Sequence, residues 1–443
     1  MIKTDKAKLM HCLEDKSHLA QRPTVGFQCY IVDGNALLQA MVSLPSTFGE
    51  LAEYVFQQLP RAQRVDFVTD SYHPLSIKGL ERSRRGSSQA HLVKGPSTKV
   101  PRDWKKFLCN EENKRRLCSF LLDEWKKGKY APKLQGKHLV FVNERKCISL
   151  KSVDGKNVVT EEVEKLCSSH EEADTRMILH YNNVAANSPE SSVILVRSPD
   201  TDVFILLLRF VRHINQTVLF DTGTCDKGRL VNVQAVAKDL GDEINLALVA
   251  LHAFTGCDTT SAFVRRGKVK PLTLLKKHPE FLPTFHALGS RVDIEDRVFK
   301  DLEKFTCLMY GSKLGDINSL RYEKFIKRFS AKPGEVLTSY NGVDMSLLPP
   351  CRESLKMHVR RANYQALIWK KADQATPSIP GPEGHGWNTN VEGELEICWT
   401  NGNLMPQELA DIITGPLNPS SEDEEDATVD YEDISDVVFE NDF

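Results

Sequence analysis

The stretch SVILVRSPDTDVFILLL, residues 192–208, predicts a short apolar strand, a polar turn and an apolar helix in immediate succession. The predicted strand covers residues 192–197, and the predicted helix covers residues 203–213. Asp200 and Asp202 lie in the turn between them. A strand that leads directly into a helix is typical of the units that build parallel sheets. This stretch therefore predicts an α/β fold with two carboxyl groups at a strand end.

Other segments repeat this arrangement along the chain. Strands are predicted over residues 25–32, 64–69 and 138–142, and helices over residues 36–59, 171–183 and 245–254. Asp33 and Asp70 directly follow the first two of these strands. Ligands bind at the carboxyl ends of the strands in open α/β sheets. We therefore expect Asp33, Asp70 and Asp200 to meet in one crevice.

The net charge of −2 is the sum of two regions of opposite sign. No basic residue follows Lys371, and residues 372–443 contain 18 acids. Residues 1–371 therefore hold 58 basic against 42 acidic residues, an excess of 16. This asymmetry predicts a polyanion partner for the basic body. We expect that partner to be nucleic acid, with DNA ahead of RNA. The asymmetry also suggests that the acidic C-terminal end contacts the body and competes with nucleic acid for it.

Cysteine usage and hydropathy indicate a reducing compartment. The 11 cysteines are scattered and include no C-x-x-C pair, so neither a disulfide framework nor a zinc knuckle is indicated. The first twenty residues are charged throughout, and no apolar run is long enough to cross a membrane. We expect a nuclear or cytoplasmic location, with the nucleus favoured, no membrane partner and no nucleotide cofactor.

A basic insertion, residues 78–137, separates the second and third predicted strands. It contains 17 basic against 6 acidic residues, with interleaved aromatic residues such as Trp104 and Phe107. Basic side chains can follow the phosphates of a nucleic acid while aromatic rings stack on its bases, but the same rings can also simply pack on the core. The residues of this segment predicted to bind nucleic acid are Arg82, Arg84, Lys105 and Lys106.

Seven acids at strand ends, helix starts or glycine-containing turns form a candidate metal site: Asp33, Asp70, Glu172, Asp174, Asp200, Asp202 and Asp258. Taken singly, each has a structural explanation, since Asp33 suits an Asx turn and Ser169 with Glu172 matches a capping box. Asp200 and Asp202, however, lie two residues apart between an apolar strand and an apolar helix, where like charges are costly unless cations neutralise them. Oxygen ligands favour Mg²⁺ or Mn²⁺ over zinc, and two such ions would clamp a phosphodiester during hydrolysis by water.

The order of these acids, with a basic helix after Asp70, resembles the flap endonuclease branch of the PIN-like nucleases over about residues 25–271. The resemblance implies a PIN-like three-layer α/β fold with a mostly parallel central sheet. It also implies a two-metal 5′ nuclease whose ions bind the seven acids. Lys78 and Arg85, seven residues apart and so on one helix face, would contact the scissile phosphate. The basic insertion takes the place of the arch that this family builds over single-stranded DNA.

Two stretches differ from that family. Thirty-two residues precede Asp33, whereas the family has an N-terminal glycine near the metals. The segment TTSAFVRRGKVKP, residues 259–271, keeps one glycine of a glycine-rich motif that grips duplex DNA, and its Arg265, Arg266 and Lys268 are predicted to bind nucleic acid. The blocks HEEADTRM, SPDTDV and TGCDTTSAF also resemble a group of animal proteins often associated with mobile elements, and that resemblance implies no established activity.

These patterns predict five segments. An N-terminal extension (1–24) precedes a PIN-like domain (25–290) with an arch-like insertion (about 78–137), and a helical extension (291–375), a hairpin-containing segment (376–414) and a disordered acidic tail (415–443) follow. The predicted function is that of a divalent-metal-dependent, structure-specific nuclease acting on DNA or RNA. The alternative is a catalytically inactive PIN-like nucleic-acid-binding or scaffold protein derived from a mobile element.

Overall fold

The computed structural model describes residues 2–24, 26–73, 75–83, 89–223, 228–329 and 345–400 of the 443-residue chain. Arg84, Arg85 and the predicted acidic tail, residues 415–443, lie outside the described residues. The last part of the predicted hairpin-containing segment, residues 401–414, lies outside them as well.

The fold is built on a nine-stranded sheet. Its strands are β1 (Leu19–Ala20), β2 (Gln28–Asp33), β3 (Arg64–Val68), β4 (His138–Asn143), β5 (Lys146–Lys151), β6 (Val159–Glu162), β7 (Val193–Arg197), β8 (Thr217–Thr222) and β9 (Arg229–Asn232). They lie side by side in the order β1-β9-β8-β7-β2-β3-β4-β5-β6. The five central strands from β8 to β4 run parallel, and antiparallel strands extend both edges. The predicted α/β class with a parallel central sheet is confirmed.

Both faces of the parallel centre are buried, as strand β2 illustrates. Successive side chains of a strand point to opposite faces of the sheet. Cys29 and Ile31 accordingly join one hydrophobic cluster, while Tyr30 and Val32 join a second cluster on the opposite face. Because a strand covered on both sides needs no polar face, its sequence is a continuous apolar run.

Helices cover the two faces of the sheet. They are α1 (Ala7–Leu13), α2 (Gly34–Gln39), α3 (Phe48–Gln58), α4 (Ile77–Ser83), α5 (Trp104–Leu108), α6 (Glu111–Trp125), α7 (Ala131–Leu134), α8 (Ala173–Asn187), α9 (Thr201–Phe210), α10 (Val233–Leu240), α11 (Asp242–Phe254), α12 (Val269–Lys277), α13 (Leu282–Ala287), α14 (Asp296–Met309), α15 (Ile317–Phe329) and α16 (Arg352–Lys370). Helices α8, α9 and α11 pack on one face, and α3, α5 and α6 pack on the other. The sheet is therefore the middle of three layers.

The prediction of one helix over residues 36–59 is wrong, because the chain forms α2 and α3 with a break between them. Pro45 lies in the break, where it opposes continuation of a helix. Thr47 and Glu50 then form a capping box, in which the Glu50 carboxylate accepts from the Thr47 backbone N–H at 3.1 Å. The apolar spacing that suggested one helix continues through α2 and α3. Pro45 and the capping box of Thr47 and Glu50 nevertheless divide this stretch into two helices.

Residues 104–134, expected within an arch, instead form part of the layer that covers the sheet. The Trp104 indole N–H donates to the Leu38 carbonyl at 2.8 Å, and Phe107 is buried beside it. Trp125 of α6 packs edge-on against Phe67 of β3 and Phe141 of β4. The aromatic residues of this segment therefore stabilise the core, and a base-stacking role for Trp104 and Phe107 is excluded by their burial.

The chain after residue 290 packs against the same core. Leu355, Val359 and Trp369 of α16 belong to the cluster that covers one face of the sheet. Strands β10 (Trp387–Thr389) and β11 (Leu395–Ile397) pair as an antiparallel hairpin, and Trp387 clusters with Ile77 of α4. Within the described segments, no helix combines the length and the apolar character needed to cross a membrane.

Candidate metal centre

The predicted acids collect at the carboxyl edge of the parallel strands. Asp33 is the last residue of β2, Asp70 follows β3, and Asp200 follows β7. Strands β2 and β7 are neighbours. The strands that follow β2 in the chain are added on one side, toward β4, and the strand that follows β7, which is β8, is added on the other side. Such a change of direction opens a crevice outside the strand ends. We call the seven predicted acids, which approach one another here, the carboxylate site.

Asp33 and Asp200 each cap a helix and also face this site. An Asp33 carboxylate oxygen accepts from the Ala36 N–H at 2.9 Å, and its other oxygen accepts from the Ser198 hydroxyl at 3.1 Å. Asp200 accepts from the Asp202 N–H at 2.9 Å. Burial raises the pKa of Asp33 to about 7 against these hydrogen bonds, and the charges of Asp70 and Asp200 add to the rise. Asp33 and Asp200 can therefore cap their helices and contribute to the carboxylate site at the same time.

Helix α8 begins differently from the capping box that the sequence suggests. The Glu172 side chain makes no capping hydrogen bond, and the Ala173 N–H donates to the Asp70 carboxylate at 2.9 Å. Asp70 thus caps a helix that begins more than a hundred residues after it. This arrangement leaves the Glu172 and Asp174 side chains for the carboxylate site.

Asp258 reaches the site through a turn that requires glycine. Helix α11 ends at Phe254, and Gly256 then adopts a φ of +108°, a backbone conformation that L residues rarely adopt. A Cβ atom at this position would lie 2.8 Å from the Ala262 Cα. Both the left-handed backbone and the close approach therefore select glycine in the TGCD sequence. The turn places Asp258 beside Lys78, in the first turn of α4, whose ammonium lies 2.9 Å from an Asp258 oxygen.

Three aspartates lie close enough to share one cation. Single carboxylate oxygens of Asp174, Asp200 and Asp202 lie within 4.8 Å of one another and could hold a metal ion. Burial, followed by the charge of Asp200, raises the pKa of Asp174 well above its usual value. Burial raises the pKa of Glu172 to about 7, although the Lys78 charge opposes the rise. Without a bound cation, these two carboxyl groups therefore favour their protonated form.

Two lysines lie among the acids. The predicted Lys78 places its ammonium 2.9 Å from an Asp258 oxygen and 3.5 Å from a Glu172 oxygen. The unpredicted Lys6 lies 2.9 Å from Asp202, 3.1 Å from Asp258 and 3.2 Å from Asp200. Nothing in the spacing of the N-terminal sequence distinguishes Lys6 from its neighbours, so sequence reasoning missed it.

Asp202 is held from its other side by a buried histidine. His252 Nε2 lies 2.8 Å from Asp202 Oδ1, and Lys6 contacts Oδ2. Burial favours protonation of Asp202, but the Lys6 charge and the His252 hydrogen bond outweigh it and lower the pKa of this carboxyl. An ionised Asp202 can only accept, so His252 donates through Nε2–H. His252 therefore fixes the orientation of Asp202.

The residues predicted to bind nucleic acid occupy different environments. Lys105, Lys106 and Arg265 are exposed, and the Arg266 guanidinium lies 4.2 Å from the centre of the Tyr310 ring. By contrast, Lys268 is buried, and its ammonium donates to the His252 carbonyl at 2.8 Å. Burial lowers the pKa of Lys268 to about 7. This lysine supports the backbone that positions His252.

Arg82 is also turned inward. Its guanidinium contacts the Glu171 carboxylate, lies 2.9 Å from Glu111 and approaches Asp70 to 4.0 Å. Its side chain is 9% exposed, so it offers little surface to a nucleic acid in this conformation. It links α4, which carries Lys78, to the loop before α8.

Comparison with models of known protein families and with curated proteins gives no match to this chain. The relationship to flap endonucleases therefore remains a prediction based on the motifs.

Proposed function

We propose that this protein is a divalent-metal-dependent nuclease that hydrolyses phosphodiester bonds, with DNA as the expected substrate ahead of RNA. The observation that carries the proposal is the surplus of buried carboxylates at the sheet edge. Five of the seven acids form ion pairs with Lys6, Lys78 or Arg82, and Asp33 and Asp174 form none within the described residues, so the acids outnumber these three cations. Buried carboxylates in such excess are costly unless further cations neutralise them.

The donor set supports Mg²⁺ or Mn²⁺. Asp174, Asp200 and Asp202 offer oxygen ligands, whereas zinc prefers histidine and cysteine. The only histidine that contacts Asp202 within the described residues donates to it and lies on the side away from Lys6. When bound, a divalent ion would activate a water molecule and neutralise the charge that develops on the phosphate.

The protein's own residues supply the remaining functions. His252 holds Asp202 in one orientation, and Asp33 and Asp200 are fixed by the helix starts that they cap. Lys78, at the edge of the carboxylate site, is placed to donate to a phosphate oxygen and stabilise its charge. The exposed Lys105, Lys106 and Arg265 are available for sequence-independent contacts with the phosphate backbone.

A second candidate is a nucleic-acid-binding or scaffold protein without turnover. One observation favours it: Lys6 and Lys78 already contact four of the seven acids, namely Glu172, Asp200, Asp202 and Asp258. An ion pair of this kind can stabilise a retained fold after loss of metal binding. This candidate keeps the DNA-binding surface and predicts no cleavage under any condition.

The decisive experiment incubates the purified full-length protein with labelled single-stranded, flap and duplex DNA and with single-stranded RNA. Cleavage is expected with Mn²⁺ or Mg²⁺, is abolished by a chelator, and is lost in Asp200→Ala and Asp202→Ala. Asp221→Asn is the matched control, because Asp221 lies at the end of neighbouring strand β8 but outside the carboxylate site. Binding without cleavage of any substrate would replace the nuclease by the second candidate, and cleavage in chelator would contradict metal dependence.

A further inference from the structure

The N-terminal segment, residues 2–13, is anchored on both sides of the carboxylate site. The Ala262 N–H donates to the Ile2 carbonyl at 2.8 Å, and the Ile2 N–H donates to the Ser261 hydroxyl at 3.1 Å. At the other end, Leu9, Met10 and Leu13 of α1 are buried in the core cluster that includes α9. The segment is therefore fixed before and after Lys6, which lies at the start of α1.

Lys6 is held as a cation by three carboxylates. Its ammonium has Asp200, Asp202 and Asp258 oxygens at 3.2, 2.9 and 3.1 Å, which matches the three N–H donors of the group. The Lys6 side chain is 19% exposed and that of Asp202 is 1% exposed. Three ion pairs on one ammonium are uncommon for a surface lysine, whose pairs contribute little.

We propose that Lys6 takes the place of a metal ion beside Asp258 in the carboxylate site, so that this protein binds one divalent ion rather than the two expected from the sequence. The inference rests on the proposed function, because it assumes that the acids bind a divalent ion. Lys6 and Lys78 hold Asp258 and Glu172, while the Asp174 side chain makes no hydrogen bond or ion pair within the described part of the chain. The single ion binds on the side of Asp174, with Asp200 and Asp202 as further ligands.

The contacts of Asp202 and Asp258 support one position taken by Lys6 and one position for the metal ion. Asp202 uses one oxygen for His252 and the other for Lys6, and each carboxylate oxygen can accept or ligate through a second lone pair. Asp258 lies between the two ammonium groups, each of which contacts a different oxygen. A second divalent ion near Asp258 would have to displace Lys6. Replacing Lys6 with a neutral side chain of similar length should therefore open the second position.

The test counts Mn²⁺ ions bound to the full-length protein by isothermal titration calorimetry and native mass spectrometry. We expect one ion for the wild type and two for Lys6→Met. Lys8→Met is the matched control, because Lys8 lies on the same helix, is exposed and forms no ion pair within the described residues, so one ion is expected. Lys6→Arg should retain one ion. Circular dichroism melting verifies that each variant is folded.

A second measurement uses the wild type alone. Acetylation by a water-soluble ester, followed by mass spectrometry, should modify Lys6 at least tenfold more slowly than Lys8, with or without Mn²⁺. If saturating Mn²⁺ exposes Lys6 to the reagent, the ion displaces the lysine and the inference fails.

The outcomes separate the inference from the proposed function. Two ions in the wild type, or one ion in a folded Lys6→Met, would overturn the inference and leave the metal-dependent nuclease standing. No Mn²⁺ bound to either protein would overturn the inference and also remove the metal from the proposed function. In that case the cleavage experiment with chelator decides whether any nuclease activity remains.

Discussion

The carboxylate site and a second buried cluster, formed by Arg64, Asp66 and His180, both contain ion pairs, but only in the second are the positive and negative charges equal in number. Arg64 donates through Nε and Nη2 to the two Asp66 oxygens at 2.7 and 2.8 Å, and His180 Nδ1 lies 2.7 Å from Asp66. Burial opposes ionisation of Asp66, but the Arg64 charge and the His180 hydrogen bond hold its pKa at about 2. We call this group the Asp66 cluster.

The charge balance of the two clusters differs. Burial lowers the pKa of His180, so a neutral imidazole leaves one positive and one negative charge in the Asp66 cluster. The carboxylate site instead has seven acids and three nearby cations. A buried carboxylate whose partners come from its own surroundings stabilises the fold, whereas a surplus of carboxylates destabilises it until cations bind. Burial of acids alone is therefore no sign of function, but their unpaired excess is.

The largest expected effect compares two isosteric substitutions, measured by urea unfolding in chelator. Asp66→Asn should lower the free energy of unfolding by about 3–5 kcal/mol, because it leaves the buried Arg64 charge without its partner. Asp174→Asn should leave it unchanged or raise it, because Asp174 has no ion pair within the described residues. Equal losses in the two variants would contradict the comparison.

The next effect is the response to metal. Mn²⁺ at a hundred times its dissociation constant should stabilise the wild type by about 2.7 kcal/mol. Asp66→Asn, although less stable than the wild type, should be stabilised by the same amount, because its carboxylate site is unchanged. The double variant Asp200→Asn, Asp202→Asn should gain none. Thermal melting with and without Mn²⁺ provides the measurement, and stabilisation of the double variant would show that the ion binds elsewhere.

A smaller effect concerns pH. The pKa of Asp33 rises from 3.8 to about 7 on folding, so its contribution to stability is present at acid pH and lost as pH rises through 7. Asparagine at position 33 can still accept the N-cap hydrogen bond at the start of α2. In chelator at pH 8, Asp33→Asn should therefore be more stable than the wild type by about 2 kcal/mol, below the bound of about 4 kcal/mol set by the pKa change. This advantage should fall by more than half at pH 5, and an advantage independent of pH would contradict a buried ionised Asp33.

The smallest effect belongs to exposed charges, which lie outside both clusters. Lys105→Ala with Lys106→Ala should change stability by less than about 0.5 kcal/mol. If these lysines contact phosphates, the slope of log affinity for DNA against log salt should decrease by about 2. Lys276→Ala with Lys277→Ala, an exposed pair on α12, is the control and should leave the slope unchanged. Equal slopes for all three proteins would exclude Lys105 and Lys106 from the interface.

Four of the five parallel central strands and the strand-end acids could be predicted because local pattern determines both, whereas the fifth strand, β8, was not predicted. A continuous apolar run bounded by a turn gave β2, β3, β4 and β7, and parallel strands necessarily bring their carboxyl ends to one edge. The added edge strands escaped prediction for a physical reason. The residues of β6 are exposed, so no apolar pattern marks them, and pairing with β5 alone makes them a strand.

Other features of the site depend on contacts that no local pattern records. Lys6 lies in a charged segment together with Lys3 and Lys8, and it enters the site because the backbone of Ile2 pairs with Ala262. The cap of α8 comes from Asp70 rather than from Ser169, since a distant carboxylate occupies the helix start. The packing of Trp104 into the core likewise depends on its contact with Leu38, which a basic sequence context does not reveal.

Lys6 and Asp258 are 252 positions apart in the chain, and Lys78 and Asp258 are 180 apart. Contacts between such distant segments cost loop-closure entropy before they contribute any stability, so we expect them to form late in folding. We expect the repulsion among the acids to arise at the same stage, once β2, β3 and β7 lie together. A fragment must span residues 6–258 to contain Lys6 and its three carboxylate partners, so these ion pairs require the parallel sheet to be assembled first.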